Sequence, residues 1–166
     1  MKPGGQGDGQ GQALPRLHLH AVGADDLEVL SAALVSTTVK RGDLGFQKSR
    51  RRLAFVGNRF RWEDERLQGM GGSRIRTGVQ INDVTRVRAQ GMAGLDADAV
   101  LELLSITQKP LEAPAAELTL NFAGGLSLRL DVDCIDVLMD DMGRPWYTPN
   151  QPDHGLDHPE QHNSES

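Results

Sequence analysis

The sequence predicts an α+β domain: a curved, mostly antiparallel sheet of six to eight strands with two main helices. Three observations carry this. Arg50 to Glu63 reads as one long strand, basic at its start and aromatic near its end. Leu118 to Val132 forms two alternating runs joined at Gly124-Gly125, a hairpin signal. Two apolar stretches open on aspartates, Asp25-Asp26 and Asp96, as helices do when a carboxylate accepts the free amide hydrogens of the first turn.

In chain order, Leu17, Leu19 and Ala21 alternate with His18, His20 and Val22, a short first strand. Leu27, Leu30, Ala33 and Leu34 follow helical spacing, and the helix should stop near Val35, before the β-branched run Thr37-Thr38-Val39. Thr38 to Gln47 is a strand weakened by Gly42 and Gly45, joined to the central strand by the turn Lys48-Ser49-Arg50. In the central strand Leu53 and Phe55 are odd, whereas Phe60 and Trp62 are even. If all four point inward, parity slips once. A bulge at Gly57-Asn58 is the expected place; a two-residue hairpin there competes, but the turn just upstream favours the bulge.

Asp64 to Ser73 is a glycine-rich loop, and Arg74 to Ile81 a strand turned by Asn82-Asp83, with Val84 to Gln90 as its continuation or partner. Val100, Leu101, Leu103 and Leu104 supply the apolar side of the second helix. Ile135, Leu138, Met139 and Met142 suggest a short closing helix ended by Gly143 and Pro145. Leu17 to Trp62 and Val84 to Val132 share an order of elements, which admits a βαββ-type duplication, although two αβ halves of a small domain often look alike by chance.

Residues 1–13 hold five glycines and three glutamines, and residues 148–166 are polar with three prolines. Both are expected to be disordered tails around a single domain of residues 14–147, since neither buries enough apolar surface to offset ordering entropy. No apolar run reaches membrane-spanning length and no secretory segment opens the chain. Cys134 is the only cysteine, so no internal disulfide forms and a reducing cytoplasm is the expected compartment. The net charge of −5 is uneven: residues 40–88 carry 13 Lys/Arg against 5 Asp/Glu, and residues 95–166 carry 3 against 14.

Little in the chain carries chemistry. His18 and His20 share a strand face but have no third ligand nearby, and His154, His158 and His162 are interrupted by Pro159. Cys134 stands among Asp131, Asp133 and Asp136, which raise a thiol pKa and oppose nucleophilic use. Those aspartates, with Asp140 and Asp141, lack calcium-loop spacing and read as a solvated face. No P-loop, nucleophile elbow or His-Glu zinc motif is present, so no catalytic residue, metal or cofactor is expected.

One pattern stands out. Arg-x-Arg occurs at Arg59/Arg61, Arg74/Arg76 and Arg86/Arg88, each pair sharing one face of an expected strand. Neighbouring strands would gather six guanidinium groups into a patch for a phosphate-bearing ligand or an acidic protein. The plainer account is a solvated sheet face paired with Asp131 and Asp133. The acidic overall charge and the lack of an aromatic stacking row disfavour nucleic acid, and no membrane partner is expected.

Asn58-Arg59-Phe60-Arg61-Trp62-Glu63 resembles the signature of a small bacterial, proteobacterial family known only as a domain of unknown function. Asp25 to Ala32, Gly42-Asp43-Leu44, Val100 to Leu104, Phe122 to Gly125, Cys134-Ile135 and Pro145-Trp146 are similar as well, so the resemblance spans Leu17 to Trp146. It implies no activity, cofactor or catalytic residue. The chain departs from the family in its glycine-rich N-terminal tail and in Gly57 before Asn58. The function expected is a non-enzymatic cytoplasmic binding or regulatory module using the basic sheet face, with Asn58, Arg59, Arg61, Glu63, Arg74, Arg76, Arg86 and Arg88 as candidate binding residues. The alternative is a small-molecule-binding protein or small enzyme with a pocket near Asn58, Arg61 and Glu63.

Overall fold

Two-residue alternation, far more than helical spacing, organises this chain. The computed structural model describes residues 15–64 and 69–152. It contains ten strands and one α-helix: β1 (His18–Ala21), α1 (Ala24–Ala33), β2 (Thr37–Lys40), β3 (Leu44–Gln47), β4 (Arg52–Phe60), β5 (Gly72–Ile81), β6 (Val84–Gln90), β7 (Val100–Pro110), β8 (Ala116–Phe122), β9 (Ser127–Val132) and β10 (Val137–Thr148). Every strand pair is antiparallel, in the order β1-β10-β5-β4-β2-β7-β8-β9-β6, with β3 also pairing β4. The expectation of six to eight strands and two main helices is therefore corrected.

The physical reason lies in two segments. At β7 the buried residues are Leu101, Leu103 and Ile106. A register shift between Leu103 and Ser105 moves the inward parity from odd to even, so a bulged strand imitates helical spacing. At β10 both faces carry apolar side chains: Val137 and Met139 are buried inward, while Leu138 and Met142 sit on the outward face. Their sum looks helical although each face has period two. The second half thus has a loop where the first has α1, and the βαββ duplication is not there.

The first half follows expectation more closely. Helix α1 starts after Gly23 with Asp25 and Asp26 in its first turn, and buries Leu27 and Leu30. Ser31 Oγ accepts the Ile106 amide at 2.9 Å, which ties the helix to β7. The Gly124-Gly125 hairpin forms, with Ala116, Leu118 and Leu120 facing inward opposite Val132, Leu130 and Leu128. Strand β6 turns at Asn82-Asp83 but pairs with β9, not β5. The core gathers the inward side chains of the strands with Leu27 and Leu30 of α1. The expected bulge at Gly57-Asn58 is absent: β4 and β5 pair without a register shift from Leu53↔Ile81 to Phe60↔Arg74. Thr148, placed in the expected tail, ends β10 opposite Gly72. The expected N-terminal tail, and the C-terminal one from residue 153 with His154, His158 and His162, lie outside the described residues.

Candidate functional site

Parity in β4 holds while its chemistry changes. The inward residues are Leu53, Phe55, Gly57 and Arg59 in unbroken alternation, so the row passes from core to charge. Arg59 is completely buried. Its Nε and Nη2 donate to Asp141 Oδ1 and Oδ2 at 2.9 and 2.7 Å, and its Nη1 and Nη2 donate to Glu63 Oε1 and Oε2 at 3.0 and 2.7 Å. One guanidinium thus grips two carboxylates, each through two bonds, the geometry in which arginine is strongest. Asp141 also accepts the Leu17 amide at 2.8 Å, which brings in the segment before β1.

Arg61 lies beside this pair, buried, with its Nε 3.7 Å from Glu63 Oε2 and its Nη1 3.8 Å from Asp64 Oδ2. Ser73 Oγ donates to Asp64 at 2.8 Å. Trp62 Nε1 donates to the Val35 carbonyl at 2.9 Å, and its ring meets Phe60 edge-on at 4.6 Å. The motif Asn58 to Glu63 therefore ties β4, β5, β10 and the end of α1 together. Burial pulls the Arg59 guanidinium toward deprotonation, but the bonds to Asp141 and Glu63 outweigh it and the net shift is upward. Burial likewise raises Asp141, yet the bonds from Arg59 and Leu17 leave it below the usual carboxylate range. A general acid or base needs a pKa near its working pH, and this pair is driven away from it at both ends. The cluster holds charge in place.

The other expected site residues scatter. Arg74 is half-buried, donates to the Ser36 and Asn58 carbonyls at 3.2 and 3.0 Å, and stands over the Phe60 ring at 5.7 Å. Burial lowers its pKa, against an opposing pull from Glu102. Arg86 is exposed on β6, and Arg88 pairs with Glu117 and Asp131, both at 2.9 Å. Asp133 pairs with Arg51. No six-arginine face forms, because Arg59 and Arg61 point inward and β6 lies at the far end of the sheet from β5. Nor do Asn58, Arg61 and Glu63 share a pocket, since Asn58 has the opposite parity from the other two. Sequence reasoning missed Asp141 as a partner; the signal was its place in the inward series Val137, Met139, Asp141. Cys134 Sγ lies 3.4 Å from Asp83, and that contact, then burial and the neighbouring aspartates, push its thiol pKa up.

Two expected residues do meet on the outer face. Asn58 and Arg76 are direct cross-strand partners, with Arg76 Nη1 3.5 Å from Asn58 Oδ1. They line a pocket of about 190 Å3 together with Lys40, Asp43, Val56 and Val100. A neighbouring depression of about 290 Å3 shares Val56 and continues over Gly78 to Leu138, Asp140 and Met142. Among the described residues no group of three or more His, Cys, Asp or Glu could hold a metal, and no helix is long and apolar enough to cross a membrane.

Residues 17–154 match the family described as "Protein of unknown function (DUF2948)". No curated protein and no solved structure matches the chain. The matched stretch takes in all ten strands, α1 and the whole Arg59 cluster, and on that match the chain belongs to the DUF2948 family of proteins of unknown function.

Proposed function

We propose that this chain is a non-enzymatic cytoplasmic binding module that takes an anionic ligand on the outer face of its sheet, between β2, β4 and β5. One observation carries the reading. Lys40 and Arg76 both face the pocket beside Asn58, and among the described residues neither forms an ion pair. Asp43 is the single carboxylate in the wall, which leaves one positive charge in excess. Arg76 offers a planar fork, Lys40 a compact cation and Asn58 an amide, a donor set suited to a carboxylate or phosphate. The interior charges support a scaffold role, because the Arg59–Asp141 pair is locked ionised and does not face the pocket.

The test is a titration of the full chain with acetate and with inorganic phosphate at two salt concentrations, followed by amide chemical shifts. The reading expects saturable shifts around Lys40, Asn58 and Arg76 that weaken with added salt and in Arg76→Ala. Absence of saturable shifts, or equal binding by Arg76→Ala, overturns it.

A further inference from the structure

Resting on that anion site, we infer that the ligand is an amphiphilic monocarboxylate: a head held by Arg76, Lys40 and Asn58, and an apolar body laid across β4, β5 and β10. The pocket does not end at its cations. Val56 belongs to its wall and to that of the larger depression beside it, so the two adjoin at this residue. Beyond Val56 the lining turns apolar, with Ala54, Leu138 and Met142 around Gly78. Gly78 keeps the floor low. The Met142 methyl leans over it: a Cβ added at Gly78 would come within 2.8 Å of Met142 Cε, the end of a flexible, exposed side chain that must move aside for a ligand's body or for a larger residue at 78. Neighbouring strands lie about 4.8 Å apart, which makes the run from β4 to β10 roughly 10 Å. Together the two parts reach the size range of small-molecule sites, about 300–1,000 Å3.

The charges at the two ends choose the class. The head end carries two cations and Asp43. The far end carries Asp140, whose Oδ1 lies 2.8 Å from His18 Nδ1 in an exposed pair. A second carboxylate at that end would meet Asp140, so a dicarboxylate is rejected and a single acidic head with an apolar tail is accepted.

The experiment titrates the full chain with butyrate, octanoate and inorganic phosphate, read by amide shifts. Each buried methylene is worth up to about fourfold in affinity. Octanoate should therefore bind roughly tenfold or more tightly than butyrate, with shifts extending to Gly78 and Leu138. Arg76→Ala should weaken both acids. Gly78→Val should bring octanoate down to butyrate's affinity while leaving phosphate unchanged, and Met142→Asp, at an exposed position, makes the same test if the valine variant does not fold. Equal affinity for butyrate and octanoate, with phosphate still bound through Arg76, overturns this inference and leaves the anion site standing. A short peptide ending in a leucine carboxylate that binds more tightly than octanoate assigns the trough to a chain terminus and overturns it too. No binding of any of these anions overturns both readings.

Discussion

Arg59 and Asp141, 82 residues apart in sequence, meet side-on through two hydrogen bonds, with neither side chain exposed to solvent. Removing one partner leaves the other as an uncompensated buried charge. Arg59→Ala or Asp141→Ala should each cost about 3–5 kcal/mol in urea unfolding. Arg59→Met with Asp141→Leu should cost less than the two single changes added together, because the two fully buried charges leave together and the part-exposed Glu63 keeps Arg61 3.7 Å away. Single variants within about 1 kcal/mol of the parent would show the pair to be energetically idle.

The same pair sets an acid limit. Asp141 is held below the usual carboxylate range in the folded state, while an unfolded aspartate titrates near about 3.9. Its contribution is fully present above that value. As pH falls further, the unfolded chain takes up the proton first, so stability drops until the folded pKa is passed. Urea unfolding between pH 6 and 2 should show this decline in the parent and a shallower one in Asp141→Asn. Parallel curves for the two proteins would contradict it.

Trp62 closes the motif against α1 through its bond to the Val35 carbonyl. Trp62→Phe keeps an aromatic ring beside Phe60 and removes the donor. It should cost about 1–3 kcal/mol, the range for leaving a partly buried carbonyl unpaired. Amide exchange should rise around residues 33–37 more than elsewhere. Uniform exchange across the domain would show that the bond does not anchor the helix end.

At Gly57 the backbone of β2 lies directly against β4. A Cβ there would sit 2.6 Å from the Thr38 carbonyl oxygen and 2.9 Å from Thr37 Cγ2, and backbone cannot swing aside as a side-chain tip can. Gly57→Ala should cost about 1–3 kcal/mol, the range for overpacking. Gly45→Ala on β3 is the control, because a Cβ added there would have nothing within 4 Å. Equal thermal midpoints for the two variants would refute the steric account.

The expected tails make a deletion prediction. A chain spanning residues 14–152 keeps every strand and α1, so it should unfold cooperatively at the parent's midpoint. A midpoint lowered by several degrees would show that a removed segment docks.

Much of the fold was readable because strand periodicity is local. β4, β5, the β8–β9 hairpin and α1 all announce themselves by alternation, spacing or a glycine pair. β7 and β10 hid because a bulge and a two-faced apolar strand each imitate a helix. The Arg-x-Arg pattern misled for a related reason. Alternation tells which residues share a face but not which face is buried, and Arg59 and Arg61 took the inward side. The inward placement of Arg59 is balanced by Glu63, four residues on, and by Asp141, a partner no local window contains. Asn58 and Arg76 could be singled out from sequence, but their meeting with Lys40 depends on the β2–β4 crossing at Thr38↔Asn58.

The pairing of β1 with β10 has a consequence in time. His18 and Asp140 are register partners 122 residues apart, so the first strand made waits for the last. At about 5–20 residues per second a ribosome needs roughly 6–24 s to cover that distance. Throughout it the edge of β1 lacks its partner strand, and Arg59, once made, waits a further 82 residues for Asp141. Closure of β10 into its slot between β1 and β5 must come at the end, and it delivers Asp141 to Arg59 in the same movement. A nascent chain stalled before Asp141 should therefore engage chaperones that the finished chain ignores.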